Sequence, residues 1–248
     1  MDRKKKRILL CILAAGLLVF AIALAVCAVR RIQAEKEQKQ RVLVLAFDDY
    51  SAYTWESVFD LLDKYDAKVT FFINAFEPTD FCEKAIERGH EIGFHTASHV
   101  NLKEVSEEEF YNEAIAPIEI FRERGIELTS FAYPYGEYED WMNEELLQYY
   151  KTLRGAYQFQ VRFKFEIQGG FIESYSMDNI HYESDEDFQA MVVRLLDAFC
   201  DCDEGTVVSV YSHAIGDGEW CITQNRLEIL LQEAEKRDIK CRTFQDLQ

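Results

Sequence analysis

The segment "VLVLAFDDY", residues 42–50, places six apolar residues in succession directly before two aspartates. A continuous apolar run of this length is typical of a strand buried on both faces, as in a parallel sheet covered by helices. The segment therefore predicts a central parallel strand that ends at Asp48 and Asp49.

Strand-length apolar runs alternate with helical patterns along the rest of the chain. The predicted strands are 42–47, 68–73, 91–95, 128–134, 206–213 and 240–244, with less sharply defined strands within 151–175. The predicted helices are 54–65, 79–88, 106–124, 140–150, 185–200 and 223–237, and Ser106 with Glu109 forms a capping box. This order predicts an α/β fold with a closed or nearly closed barrel of parallel strands, and an open doubly wound sheet is the alternative.

The first 41 residues differ in kind from the remainder. Residues 8–29 carry no charge over 22 positions, enough for a helix to cross a hydrocarbon layer about 30 Å thick. The basic block "RKKKR" before this run predicts a cytoplasmic amino terminus and an extracellular remainder. We therefore expect a single-pass cell-membrane protein with a basic tail (1–7), a transmembrane signal anchor (8–29), a polar stalk (30–41) and a catalytic domain (42–248). Cleavage near Ala25 or lipidation at Cys27 is the alternative.

The charge of the chain limits its partners. The chain has a formal net charge of −18, and residues 42–248 hold 17 of its 27 basic and 42 of its 45 acidic side chains, a balance of −25. Such a balance argues against nucleic acid or anionic lipid as a partner of this part of the chain. Solubility is the simpler interpretation of the excess.

Five cysteines lie outside the apolar segment. They show no spacing typical of a disulfide framework, and five cannot all pair within one chain. We expect partly buried free thiols, with a metal clip at Cys200 and Cys202 as the alternative.

Polar residues follow several predicted strands at the point where each strand ends. Because the carboxyl ends of parallel strands meet at one rim of a barrel, these residues should gather there: Asp48, Asp49, His95, Pro134, Tyr135 and His213.

A metal site is one interpretation of this rim. His95 and His99 are four residues apart and face the same side if the chain turns helically after the third strand. Asp48 and Asp49 are neighbours, so their side chains point in opposite directions, and one can bind a metal with the histidines while the other lies nearby. Surface histidines and turn-capping aspartates are the alternative.

The remaining histidines have different placements. His213 follows the strand "VVSVYS" and is suited to general acid work near pH 7. His90 marks a turn from helix to strand, and His181 has no predicted role.

Four motifs in this order and spacing carry a resemblance to a known family. "LAFDDY", "EIGFHTASHVNL", "FAYPYG" and "VVSVYSHAIG" resemble those of the polysaccharide deacetylases, carbohydrate esterase family 4, also called the NodB-homology domain. The likeness covers about residues 42–247, and "FAYPYG" is most similar to the branch of poly-N-acetylglucosamine deacetylases. It implies a distorted (β/α) barrel of about seven parallel strands.

The resemblance also implies roles for individual residues. Asp48 matches the catalytic base, and Asp49, His95 and His99 match the ligands of a divalent metal, zinc first, with cobalt, nickel or iron(II) as alternatives. The backbone N–H of Tyr135 matches an oxyanion donor, and His213 matches the catalytic acid. Thr96 matches a residue that supports the loop between the two histidine ligands.

Some positions depart from the family pattern. Where many members have an arginine that orients the base, this chain has Ala132, and a later position used by the branch is Asn179. Tyr211 stands where a leucine is usual, in the wall of the acetyl pocket. Either the activity is reduced, or another group such as Arg154 or Arg162 orients the base.

The expected function is a membrane-anchored, metal-dependent hydrolase that removes acetyl groups from N-acetylglucosamine units of a cell-envelope or exopolysaccharide glycan. The alternatives are a catalytically impaired carbohydrate-binding protein with the same fold and a metal-dependent amidase acting on a non-sugar substrate.

Overall fold

The computed structural model describes residue 26 and residues 41–157, 167–202 and 206–247. The predicted basic tail, membrane segment and stalk therefore lie outside the described residues, apart from Val26 and Arg41. Within the described ranges, no helix combines the length and apolar character needed to span a membrane.

The described chain alternates strands with helices. The strands are β1 (Val42–Asp48), β2 (Thr70–Ile73), β3 (Glu91–Phe94), β4 (Ser130–Ala132), β5 (Thr152–Tyr157), β6 (Phe171–Ser176), β7 (Val207–Ser212), β8 (Ala214–Ile215), β9 (Cys221–Ile222) and β10 (Lys240–Arg242). The α-helices are α1 (Ala52–Glu56), α2 (Phe59–Lys64), α3 (Asp80–Glu87), α4 (Glu107–Ala114), α5 (Pro117–Glu123), α6 (Asp140–Leu146), α7 (Asp185–Cys200) and α8 (Gln224–Lys236).

The main sheet is parallel and closes on itself. Strands β1 to β7 follow one another around the barrel, and β1 pairs with β7 over Val42–Phe47. On its other edge β1 pairs with β10 at Val42–Val44 and with β2 at Ala46–Asp48, so that β10 lies beside the amino-terminal half of β1. The predicted barrel of about seven parallel strands is confirmed, and the open doubly wound sheet is wrong.

Strand β1 is apolar on both faces because the barrel has two separate cores. Leu43, Leu45 and Phe47 belong to the large core that includes the helices. Val44 and Ala46 belong to a small core inside the barrel, with Phe72, Ala132, Ile172, Val207 and Phe244. Since alternate residues share a face, Asp48 extends the inner face of β1 and enters the end of the barrel interior.

Two predicted helices are each divided into two. The segment 54–65 forms α1 and α2, because the N–H groups of Ser57 and Val58 bond at three-residue spacing to Thr54 and Trp55. The segment 106–124 forms α4 and α5, because Pro117 has no N–H to donate to the carbonyl of Glu113. Ser106 caps α4 as expected, its hydroxyl accepting a hydrogen bond from the Glu109 N–H.

Gly93 in β3 makes room for a side chain of the barrel interior. A Cβ atom at this position would lie 2.4 Å from Cδ1 of Phe72, far inside van der Waals contact. Phe72 is fully buried, and its ring packs against Phe244 on one side and against the guanidinium of Arg154 on another. The glycine thus allows a large ring to reach the rim end of the barrel interior.

The five cysteines of the described domain are free thiols, of which Cys82 and Cys241 are buried. Cys200 and Cys202 are not part of the metal-binding cluster found among the described residues.

Candidate active site with a metal-binding cluster

The barrel brings Asp49, His95 and His99 together at the carboxyl ends of β1 and β3. One ligand atom from each residue lies within 4.8 Å of the others. Nε2 of His99 is 3.0 Å and Nε2 of His95 is 3.5 Å from Oδ1 of Asp49. These three residues, called the metal-binding cluster below, are the ones that the family resemblance named as metal ligands.

The loop between the two histidines is not helical, although a helical turn was the condition under which their spacing would place both imidazoles on one side. Thr96 and His99 have φ values of 61° and 60°, in the left-handed region, and the imidazole centroids still lie 4.9 Å apart. Positive φ costs a non-glycine residue of the order of 1 kcal/mol or more, so other contacts must hold this loop.

Glu113 on α4 provides those contacts. Its carbonyl accepts a hydrogen bond from the Ala97 N–H (3.0 Å), and its carboxylate accepts two from Ser98, one from the N–H and one from the hydroxyl (2.8 Å each). The carbonyl is available because Pro117, four residues later, cannot donate to it. The break between α4 and α5 therefore frees a backbone acceptor for the loop that carries both histidines.

Thr96 does not support the loop through its hydroxyl. The Oγ1 atom is buried and has no hydrogen-bond partner in the described part of the chain. The support inferred for Thr96 from the family resemblance comes instead from Glu113, which no local sequence pattern marks.

The donor set fits a divalent cation. Nδ1 of His95 must donate to the Ala132 carbonyl (2.8 Å), which leaves Nε2 of a neutral ring with a lone pair toward Asp49. Oδ1 of Asp49 is buried and faces Nε2 of His99 (3.0 Å) and Nε2 of His95 (3.5 Å). Lone pairs that converge in this way are mutually repulsive unless a proton or cation lies between them. Two imidazoles and one carboxylate suit zinc and also other first-row divalent metals.

Asp48 has a different environment from its neighbour. Its carboxylate is 2% exposed, and Oδ2 accepts a hydrogen bond from Nη2 of Arg154, itself 1% exposed. Oδ1 is buried and has no partner in the described ranges. A buried charge pair of this kind keeps one carboxylate oxygen fixed and leaves the other free to accept a proton.

Many family members have their arginine at the position of Ala132 on β4, whereas Arg154 reaches Asp48 from the neighbouring strand β5. Ala132 on β4 and Arg154 on β5 are register partners, so the small side chain of Ala132 lies beside the base of the arginine. The guanidinium lies between the rings of Phe72 and Tyr211, with centroid distances of 5.4 Å and 4.6 Å. The two departures Ala132 and Tyr211 thus accompany an arginine supplied by β5, and Arg162, the other candidate, lies outside the described residues.

His213 lies on the other side of Asp49, after β7. Its Nδ1 is 2.8 Å from Oδ2 of Asp178, and its Nε2 is 3.9 Å from Oδ2 of Asp49. Asp178 is fully buried and also accepts hydrogen bonds from the hydroxyls of Ser176 and Ser212 (2.8 Å and 2.6 Å). Asp178 was not among the predicted site residues. Its position just after the end of β6, like that of Asp48 at the end of β1, could have indicated it.

The charges around His213 favour its protonated form. Burial lowers the pKa of His213, but the hydrogen bond and charge of Asp178, with the charges of Asp48 and Asp49, outweigh burial and raise it above the usual value. For Asp49, burial raises the pKa, but the imidazoles of His95 and His99 outweigh it and hold the carboxylate ionised.

Tyr135 completes the rim next to His99. It has a φ of 60° within the short turn Pro134–Gly136, its hydroxyl is 3.2 Å from Nδ1 of His99, and the two ring centroids are 4.7 Å apart. The role inferred for its backbone N–H remains a prediction.

Comparisons with known proteins show which family this chain is similar to. Residues 35–153 match the family model for polysaccharide deacetylase. A peptidoglycan-N-acetylglucosamine deacetylase of Bacillus cereus is 35% identical over 100 residues, which are 38% of this chain and 36% of that protein. The peptidoglycan-N-acetylglucosamine deacetylase PgdA of Listeria monocytogenes is 28% identical over 116 residues, which are 45% of this chain and 25% of that protein. The matched region thus spans between a quarter and two fifths of these two relatives.

Solved structures show the same fold over more of the chain. The peptidoglycan deacetylase PdaC of Bacillus subtilis has a TM-score of 0.55 at 18% identity, over 85% of this chain and 91% of that one. The catalytic domain of a peptidoglycan N-acetylglucosamine deacetylase from Eubacterium rectale has a TM-score of 0.56 at 18% identity, over 82% and 87% of the two chains. Residues 35–153 and the two relatives thus show similarity to polysaccharide deacetylases, and the solved structures show a shared fold.

The metal-binding cluster makes a direct prediction. His95→Ala should weaken zinc binding by more than about 100-fold, because loss of a partner outside the ligand shell already costs about 10- to 100-fold. The affinity is measured by competition with a chromophoric chelator. His181→Ala, a histidine outside the cluster, should bind zinc like the wild type, and wild-type affinity in His95→Ala would refute the assignment.

The contact of Asp178 with His213 predicts a change in titration. Asp178→Asn removes the main charge that opposes burial, so the pKa of His213 should fall below its wild-type value, and the ring should lose its proton at lower pH. The measurement is an NMR titration of the metal-free protein, with the signal assigned by His213→Gln. Asp187→Asn removes an exposed carboxylate and should leave the midpoint unchanged. An unchanged midpoint in Asp178→Asn would show that this contact does not control the ring.

Proposed function

We propose that this chain is a metal-dependent N-deacetylase that hydrolyses the acetamide of N-acetylglucosamine units in an extracellular glycan. The observation that carries the proposal is that two adjacent carboxylates have different partners. Asp49 lies with His95 and His99, whereas Asp48 is held by Arg154 and keeps one oxygen free. A carboxylate base beside a metal-binding cluster, with a protonated histidine opposite, is the arrangement that amide hydrolysis requires.

Asp48 and His213 transfer protons on opposite sides of the acetamide. The free oxygen of Asp48 accepts the proton of the attacking water, while Arg154 keeps the carboxylate in place. His213, held protonated by Asp178, donates a proton to the departing amine. The backbone N–H of Tyr135 is the proposed hydrogen-bond donor to the developing oxyanion. A divalent cation on Asp49, His95 and His99 would supply Lewis-acid polarisation of the carbonyl.

The named relatives favour a cell-wall substrate. Both curated proteins described above are named peptidoglycan-N-acetylglucosamine deacetylases. The "FAYPYG" motif favours poly-N-acetylglucosamine, an exopolysaccharide, as the second candidate. The acidic balance of residues 42–248 favours a neutral or partly deacetylated polymer, because deacetylation creates cationic amines.

Anchoring at the cell membrane is part of the proposal. It rests on the uncharged run at 8–29 and the basic block before it, which together favour a single-pass anchor with the barrel outside the cell.

An impaired carbohydrate-binding protein is the weaker alternative. Its main support was the absence of an arginine at position 132, and the contact between Arg154 and Asp48 supplies such a group from β5. An amidase acting on a non-sugar substrate has the same residue requirements, so only substrate tests separate it from the deacetylase.

The function is tested by acetate release from N-acetylglucosamine oligomers, peptidoglycan and poly-N-acetylglucosamine. We expect release from at least one of them, loss of release with a chelator and recovery with zinc. Chelator-sensitive hydrolysis of simple amides alone would indicate the amidase. Tight glycan binding with no acetate released from any of the three would indicate the binding protein.

The division between the two aspartates is tested by a matched pair of substitutions. Asp48→Asn keeps an acceptor oxygen for Arg154 but cannot take a proton, so kcat should fall by about 100-fold or more while zinc affinity stays unchanged. Asp49→Asn, the same change one residue later, should lose zinc affinity. Loss of zinc in Asp48→Asn, with retention in Asp49→Asn, would reverse the two roles.

A further inference from the structure

A large exposed aromatic side chain lies next to His213. Trp220 is 56% exposed, and its ring centroid is 5.8 Å from that of His213 at an interplanar angle of 81°. Trp220 therefore places exposed apolar surface directly beside the group that we propose as the acid. None of the catalytic steps proposed above uses it.

The loop that carries Trp220 is short and closed. Strands β8 and β9 pair in parallel, Ala214 with Cys221 and Ile215 with Ile222, so residues 216–220 must return within five positions. The N–H of Gly216 donates to the Ile222 carbonyl (3.0 Å). Such a loop holds Trp220 only if its own carbonyl groups are also bonded.

Asn179 provides those bonds from a different part of the chain. Its Nδ2 donates to the carbonyls of Gly216 (3.0 Å) and Gly218 (2.9 Å), and the N–H of Ile180 donates to the carbonyl of Glu219 (3.0 Å). Three successive contacts therefore tie the loop to the segment that follows β6. Asn179 directly follows Asp178, which holds His213, so one dipeptide positions both the imidazole and the loop with the indole.

Arg226 on α8 fixes the orientation of the Asn179 amide. Its Nη1 donates to Oδ1 of Asn179 (3.0 Å), so the other end of the amide is the donor that faces the loop. Arg226 is 6% exposed, and its Nε donates to Oδ1 of Asp185 (2.8 Å) at the start of α7. The loop is thus connected to two long helices through polar contacts that are mostly half-buried.

We propose that Trp220 binds the sugar ring that carries the acetamide and that Asn179 is the positioning residue that holds Trp220 there. One face of a pyranose ring presents C–H groups, which pack favourably against an aromatic ring. With Trp220 beside His213, such packing places the ring nitrogen substituent next to the proton donor. This proposal rests on the proposed function, because it assigns an N-acetylated sugar to the same site.

The test is a KM and kcat comparison in the whole chain, together with calorimetric binding of a tetramer of N-acetylglucosamine. Trp220→Ala should raise KM and weaken tetramer binding by about fivefold to tenfold, with kcat changed by less than about threefold, and Trp220→Phe should recover most of the loss. Trp141→Ala is the matched control, since Trp141 is 47% exposed but packs on Phe110, and it should behave like the wild type.

The positioning role is tested by a double-mutant cycle. Asn179→Ala should raise KM like Trp220→Ala, and the double substitution should be no worse than either alone, because Asn179 acts through Trp220. Asn179→Ser removes both amide donors and replaces Asn179→Ala if that variant does not fold. Additive losses would show that Asn179 acts independently of Trp220 and would overturn its role as a positioning residue.

The outcomes separate this proposal from the function on which it rests. Wild-type protein that binds the tetramer but releases no acetate contradicts the deacetylase, and tetramer binding by the Trp220 variants still decides the role of Trp220. Unchanged KM and unchanged tetramer affinity in Trp220→Ala overturn the sugar contact while leaving the deacetylase intact.

Discussion

The buried contact between Asp48 and Arg154 is the interaction on which the site depends. Both side chains are almost fully enclosed at the rim end of the barrel interior, where an unpaired charge would be strongly destabilising, of the order of 3–5 kcal/mol. Because Arg154 holds Asp48, only Asp49 of the two aspartates is available to the cluster with His95 and His99. Closure of the barrel makes this possible, because it places the ends of β1 and β5 around one interior.

Backbone strain is concentrated around the same centre. Six non-glycine residues in the described ranges have positive φ, and four of them are at the site, namely Asp49, Thr96, His99 and Tyr135. Each such residue costs about 1–3 kcal/mol, which the surrounding contacts must offset. Glu113 does so for the histidine loop by accepting three hydrogen bonds from it. Stabilising contacts elsewhere in the fold thus offset the strain of the residues that orient groups at the rim.

The sequence predicted the barrel and the gathering of Asp48, Asp49, His95 and His213, because strand order and strand ends are local patterns. The helix break at Pro117 was visible in principle, since proline lacks the donor that a continuous helix needs. Partners supplied by distant strands and helices were harder to find. Asp178, Glu113 and Asn179 act through tertiary contacts with no fixed spacing to the groups they hold, and Arg154 could be named only as one of two candidates until the register of β4 and β5 was known.

Anomalous diffraction at the zinc absorption edge, from crystals of the chain grown with zinc, tests whether Asp48 and Asp49 have separate roles. We expect one strong peak bonded by Asp49, His95 and His99, with Asp48 still paired to Arg154 and not bonded to the metal. A peak bonded by Asp48, or an Arg154 side chain turned away from it, would contradict the separate roles of the two aspartates.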